Sequence, residues 1–129
     1  MKHTYTFEKM AAWQAARQAV KLIYQSTKSF PKEELFGITS QIRRAGISIC
    51  CNLAEGSAMI GARYQSRYYS IAYGSAVEVV NLLILCNDLA YLPDNSYEIL
   101  RTEIEKLTYQ INKLNSKKPP NSTDENFPG

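Results

Sequence analysis

Apolar positions in this chain recur every three or four residues through four long runs, the period of amphipathic helices rather than strands. In the first run Phe7, Met10, Trp13, Arg17, Val20, Ile23/Tyr24 and Thr27 make a seam broken only by Arg17. Ala11, Ala12, Ala15, Ala16 and Ala19 raise helix propensity and let a neighbour come close. The spacing predicts a helix over 7–28. Ser29-Phe30-Pro31 ends it. Ser29 is placed to cap the next helix, Pro31 suits a first helical turn, and Glu33 and Glu34 complement the positive end of a helix dipole. A second helix follows over 31–55, with the seam Leu35, Ile38, Ile42, Ala45, Ile49 and Leu53. Gly37 and Gly46 fall inside it, and close approach of a neighbouring backbone at Gly46 would offset the glycine penalty of about 1 kcal/mol.

Gly56 to Gly61, with small residues between, is the natural break before a third helix over 62–90. Its main seam is Tyr64, Tyr68, Ile71, Ser75, Val79, Leu82, Cys86 and Leu89. A second apolar set, Tyr69, Tyr73, Val77, Val80 and Ile84, lies off that seam. A helix apolar nearly all round is normally buried on every side, whereas each helix of a four-helix bundle keeps one wet face. The second set is therefore expected to meet another subunit. Leu92-Pro93-Asp94-Asn95-Ser96 reads as a turn, Asn95 and Glu98 have capping-box spacing, and a fourth helix is predicted over 97–115 on the stripe Leu100, Ile104, Leu107, Ile111 and Leu114. Residues 1–6 are expected to be flexible and the polar, proline-rich stretch 116–129 disordered. The fold expectation is all-α: one antiparallel up-down-up-down four-helix bundle over 7–115, assembled as a homo-oligomer.

Bulk composition changes this picture little. A chain of 129 residues, 45% hydrophobic and 21% charged, is large enough for one core and ordinary for a globular domain. The distribution of charge adds more. Residues 1–34 hold six Lys/Arg against three Asp/Glu, residues 35–75 hold four arginines against Glu55, and residues 76–129 hold five Lys/Arg against eight Asp/Glu. The first two thirds are basic and the last third acidic. Three cysteines, Cys50, Cys51 and Cys86, cannot all pair and read as reduced, buried thiols, which points to the cytoplasm. No uninterrupted apolar run approaches the roughly 18 residues of a membrane span, so no membrane partner is expected.

Three constellations carry candidate chemistry. Arg43, Arg44, Arg63 and Arg67, interleaved with Tyr64, Tyr68 and Tyr69, have the composition of a nucleic-acid surface, where guanidinium groups meet phosphates and aromatic rings meet bases. Asn52, Glu55, Ser75 and Glu78 are expected to form a structural polar cluster between the second and third helices. Gly56-x-x-x-x-Gly61 has phosphate-loop spacing, but Ala62-Arg63 follows where Lys and Ser/Thr are needed. The lone histidine, His3, leaves no Glu-x-x-His pair for a bundle metal site and no nucleophile–base set. No catalysis, metal or cofactor is expected.

Ordered along the chain, Trp13-Gln14-x-Ala16, Phe30-Pro31-x-Glu33-Glu34, Gln41-Ile42-Arg43-Arg44-Ala45, Ser48-Ile49, Asn52-Leu53-Ala54-Glu55-Gly56, Tyr69, Ile71-Ala72 and Gly74-Ser75-x-x-Glu78 resemble the four-helix-bundle family named after proteins encoded in intervening sequences of 23S ribosomal RNA genes. The resemblance covers roughly 7–115. It implies a homopentamer and relatedness to the accessory variability determinant of diversity-generating retroelements, hence a reverse transcriptase or another RNA-handling protein as a partner. The family often has proline where Cys50 stands, so the second helix is expected to run straighter here. The combined expectation is a non-catalytic oligomeric scaffold that binds structured RNA through a basic surface. The alternative is a structural or protein–protein scaffold whose arginines pair with neighbouring subunits.

Overall fold

The computed structural model describes residues 2–116. Among these the chain is all-α, with four helices, α1 (Ala11–Thr27), α2 (Ile38–Ala58), α3 (Ala62–Asp88) and α4 (Asp94–Ser116), two 3-10 turns at Thr6–Lys9 and Lys32–Glu34, and no strand. Each helix packs on the next in sequence, and α1 also packs on α4, so the four close around one core. Ile23, Ile42, Ile49, Leu53, Val79, Leu83, Leu100, Ile104, Leu107 and Ile111 fill it. Their burial, at about 25 cal/mol per Å² of apolar surface removed from water, is the main force holding the helices together. The expected disordered stretch 116–129 lies, beyond Ser116, outside the described residues.

The first helix is shorter than its periodicity predicts and turned about one residue. Met10 is extended, with φ −77° and ψ 128°, and divides the 3-10 turn from α1. Tyr5, within the segment expected to be flexible, donates its backbone N–H to Glu8 Oε2 at 2.8 Å and so caps that turn. The buried face of α1 is Ala12, Ala16, Ala19, Ile23 and Thr27. The larger Trp13 and Val20 lie at its edge and Arg17 is exposed. The small face permits a close helix crossing. Gly46 of α2 is buried opposite it, where an added Cβ would stand 3.0 Å from Ile23 Cδ1.

The second helix begins seven residues later than 31. Lys32–Glu34 makes a tight turn, Gly37 occupies the N-cap rather than a helix interior, and Glu34 Oε1 accepts the Ile38 N–H at 3.4 Å. A local carboxylate thus satisfies a free helix-end donor. Ser29 caps nothing, since its hydroxyl donates to the Ser26 carbonyl. From Ile38 the helix is continuous through Cys50 to Ala58. The third helix stops at Asp88 because Ala90 turns left-handed at φ 62° and the N–H groups of Tyr91 and Leu92 both reach the Cys86 carbonyl. The fourth starts at Asp94, three residues early. Asn87 Nδ2 bridges the Leu92 carbonyl and Asp94 Oδ1, and Asn95 and Glu98 fall inside the helix instead of capping it.

The third helix is long and apolar enough to cross a bilayer by length and composition, with a mean hydropathy of 1.5 over an 18-residue window, although no uninterrupted apolar run suggests it. Here it packs between α2 and α4. Its buried residues are Ser66, Tyr69, Ala72, Ala76, Val79, Leu82, Leu83 and Cys86. The expected seam is therefore correct from Val79 to Cys86 and displaced before it. Tyr64, Ile71 and Leu89 are exposed.

Candidate nucleic-acid interface

α2 and α3 run antiparallel. Ser48 and Ser75 share a hydrogen bond of 2.8 Å between their hydroxyls, and Gly56 lies against Tyr69 and Tyr68. This register locates the four arginines. Gly56 is twelve residues beyond Arg44, so Arg67, beside Tyr68, stands about 18 Å from Arg44 along the helix axis. One subunit does not bring Arg43 and Arg44 together with Arg63 and Arg67 as a single patch. Arg63 and Arg67 are exposed at the start of α3. Of the interleaved tyrosines, Tyr64 is open to solvent, Tyr68 is half-buried, and Tyr69 is only 7% exposed.

Arg43 and Arg44, adjacent in sequence, point to different neighbours. Arg43 Nε donates to Thr27 Oγ1 at 2.9 Å, and its guanidinium lies 4.6 Å from the centre of the Tyr24 ring. Arg44 is exposed in a cleft of about 540 Å³ between α2 and α3, lined by Phe36, Ser40, Gln41, Ser48 and Glu78 among others. No described ion pair holds it.

The polar cluster forms in part and includes a residue outside the expected four. Asn52 Nδ2 donates to the carbonyl and hydroxyl of Ser48 at 2.9 and 3.1 Å, and Ser48 bonds Ser75. Glu55 and Glu78 are exposed and make no described hydrogen bond or ion pair. The lock between the helices is thus Ser48–Asn52–Ser75. Ser48 stands one turn before Asn52, and that spacing was its signal in the sequence. Among the described residues no group of three or more His, Cys, Asp or Glu gathers as a metal site.

The set expected between subunits also divides. Tyr69 belongs to the subunit's own core and is removed from that set by its burial against Gly56. Burial also holds its hydroxyl above the usual tyrosine range. Val80 is half-buried against the core, while Tyr73, Val77 and Ile84 are exposed on α3.

A more continuous basic surface runs along α1. From Lys9 to Lys32 the sequence has five cations and no carboxylate. Arg17, Lys21, Lys28 and Lys32 are exposed, with Gln18 and Gln25 between them and Gln14 one turn before Arg17. Lys28, Lys32 and Arg43 line one hollow of about 250 Å³ at the end of α1, whose wall includes Thr27 and Thr39. Thr39 Oγ1 is buried there without a hydrogen-bond partner. No described ion pair neutralises these cations; the pairs Arg101–Glu105 and Lys106–Glu103 both lie on α4. Arg17 is 5.5 Å from the centre of the Trp13 ring. The carboxylate-free run was legible in the sequence, but its helix face becomes clear only once the alanines are seen to be buried.

A family model described as 23S rRNA-intervening sequence protein matches residues 8–113. No curated protein matches the chain.

Proposed function

The chain belongs to the 23S rRNA-intervening sequence protein family, and on that premise we propose that it is a non-catalytic, homo-oligomeric scaffold that holds structured RNA on a basic surface. The observation that carries this reading is the cationic hollow formed by Lys28, Lys32 and Arg43, continued along α1 by Lys21 and Arg17. A phosphate entering the hollow meets three positive side chains, and the line beyond it offers further cations at helical spacing. Arg63 and Arg67 form a second basic site farther along the bundle. Repetition around a ring adds weak phosphate interactions by multivalency.

The proposed subunit path is up-down-up-down and the proposed assembly a pentamer in the cytoplasm. The antiparallel α2–α3 pair and the short connectors 59–61 and 89–93 support that path. Exposed Tyr73, Val77 and Ile84 support assembly, because their spacing puts them on one face of α3 as an apolar strip rather than as scattered positions. A reverse transcriptase or another RNA-handling protein, related in role to the partner of the retroelement determinant, fits as a partner that shares the bound RNA.

The test is binding of a hairpin RNA across a salt series. Affinity should fall steeply with salt, and replacing Arg17, Lys21, Lys28 and Lys32 by glutamine should flatten the slope by about 0.9 for each phosphate no longer neutralised. Absence of binding at about 50 mM salt overturns the RNA reading. A full effect from Arg63→Gln/Arg67→Gln with none from the α1 variant would move the site to the start of α3.

A further inference from the structure

We infer that the Phe36–Arg44 corner of one copy seats on the outer strip Glu98–Ile99–Glu103 of α4 in a second copy. The inference rests on the assembly reading above and adds a contact outside the Tyr73, Val77 and Ile84 strip of α3. Phe36 is 94% exposed at the mouth of the cleft that contains Arg44. An aromatic ring so fully in water, beside a cation with no described ion pair, is an anchor without a socket. On α4, Ile99 is 55% exposed within a shallow hollow of about 270 Å³ that it shares with Glu98, Thr102 and Glu103. One surface presents an aromatic ring, a cation, Ser40 and Gln41, with the Glu78 carboxylate on the opposite wall of the cleft. The other presents an aliphatic side chain, two carboxylates and a hydroxyl. Apolar meets apolar, and opposite charges meet.

Their positions in the fold fit as well as their chemistry. α1 packs on α2 and α4, and α3 packs on α2 and α4, so α2 and α4 occupy opposite corners. Both start at the same end of the bundle. There Tyr91 Oη donates to Glu34 Oε2 at 3.0 Å, and the Phe30 and Tyr91 rings lie 5.7 Å apart. Counting from Ile38 and Asp94, Arg44 stands about 9 Å along α2, and Glu98 and Glu103 about 6 and 13 Å along α4. The cation of one copy thus comes level with the gap between the two carboxylates of the next. Two unlike surfaces on opposite corners at one height are what a head-to-tail contact needs, and repetition of such a contact gives a ring where the rotation from copy to copy closes. The Lys106–Glu103 pair, at 3.4 Å, is exposed and weak enough to yield Glu103 to a new partner.

Charge exchange tests this in the full-length protein, with mass in solution measured by light scattering and native mass spectrometry. Arg44→Glu alone, and Glu98→Arg/Glu103→Arg alone, should each weaken assembly by about tenfold or more, and combining them should restore it to within about threefold. Phe36→Ser should also weaken assembly while helix content stays constant, because the ring is almost wholly in water within its own subunit. If the unmutated protein assembles but the exchanged pair gives no rescue, this contact is wrong and the assembly reading stands. If the unmutated protein is a monomer at every concentration, the assembly reading fails and this contact with it.

Discussion

The Arg43 side chain fastens the start of α2 to the end of α1, with Nε 2.9 Å from Thr27 Oγ1 and the guanidinium 4.6 Å from the Tyr24 ring centre. Thr27 passes the bond on, donating to the Ile23 carbonyl at 2.8 Å. Arg43→Ala removes both interactions and leaves a buried hydroxyl with one partner fewer. The expected destabilisation is about 1–3 kcal/mol. Arg43→Lys should recover only part of it, because an ammonium cannot both stack its plane on a ring and donate sideways. Urea unfolding of the three proteins checks this, and equal midpoints would contradict it.

Two helical glycines should respond in opposite directions. A Cβ on Gly56 would lie 2.7 Å from Tyr69 Cε1 and 3.0 Å from Tyr68 Cβ, so Gly56→Ala should cost about 1–3 kcal/mol by overpacking. A Cβ on Gly74 meets nothing within 4 Å, so Gly74→Ala should add about 0.5–1 kcal/mol of helix stability. Thermal unfolding of both variants gives the two signs directly.

The thiols separate by burial. Cys51 is exposed, while Cys50 is half-buried and Cys86 buried. Burial, with a smaller contribution from Cys51, pushes the Cys50 thiol up to about 11. Burial, with a smaller contribution from Glu34, does the same at Cys86. The thiolate is the reacting form, so maleimide should modify Cys51 first at neutral pH. Peptide mapping that finds Cys50 or Cys86 modified as fast as Cys51 would overturn this ordering.

Alkaline pH should weaken the fold. The Cys50 and Cys86 thiols rise from the ordinary 9.0 to about 11, and Tyr69 and Tyr91 also rise, Tyr69 through burial and Tyr91 chiefly through its hydrogen bond to Glu34. Between these limits the folded chain holds more protons than the unfolded one, so stability must fall as pH rises. The thiol contribution is complete below pH 9 and disappears as pH passes about 11. Melting temperatures measured across this range should decline, and Cys86→Ala should reduce the slope.

Much of this architecture was legible as periodicity, and the departures share physical causes. Leu100, Ile104, Leu107 and Ile111 form a narrow stripe among polar residues, and they are the buried face of α4. In α1 the larger residues Trp13 and Val20 suggest the seam, whereas tight packing selects Ala12, Ala16 and Ala19. A stripe of alanines is inconspicuous by hydropathy but favoured where helices come close. In α3 tyrosines occur on several faces, so period alone does not choose between Tyr68 and Tyr69; packing against Gly56 does. Arg43 and Arg44 are indistinguishable as neighbours in sequence, and only the folded positions of Tyr24 and Thr27 beside Arg43, and of the open cleft beside Arg44, separate them. The start of α2 is displaced because a helix-breaking Gly37 and a local carboxylate at Glu34 outweigh a favourable proline.

The Tyr91–Glu34 bond makes the two ends of the subunit unlike. One end carries the connectors 28–37 and 89–93 tied together, and the other carries the 59–61 turn, where Ile60 is 92% exposed. A cyclic assembly has no symmetry operation that exchanges its top and bottom. A ring of such subunits would therefore be directional, with a tied rim on one side and a rim of isoleucines on the other. The cationic hollow beside Lys28 and Lys32 would open toward the tied rim, so a bound strand would approach from a defined side.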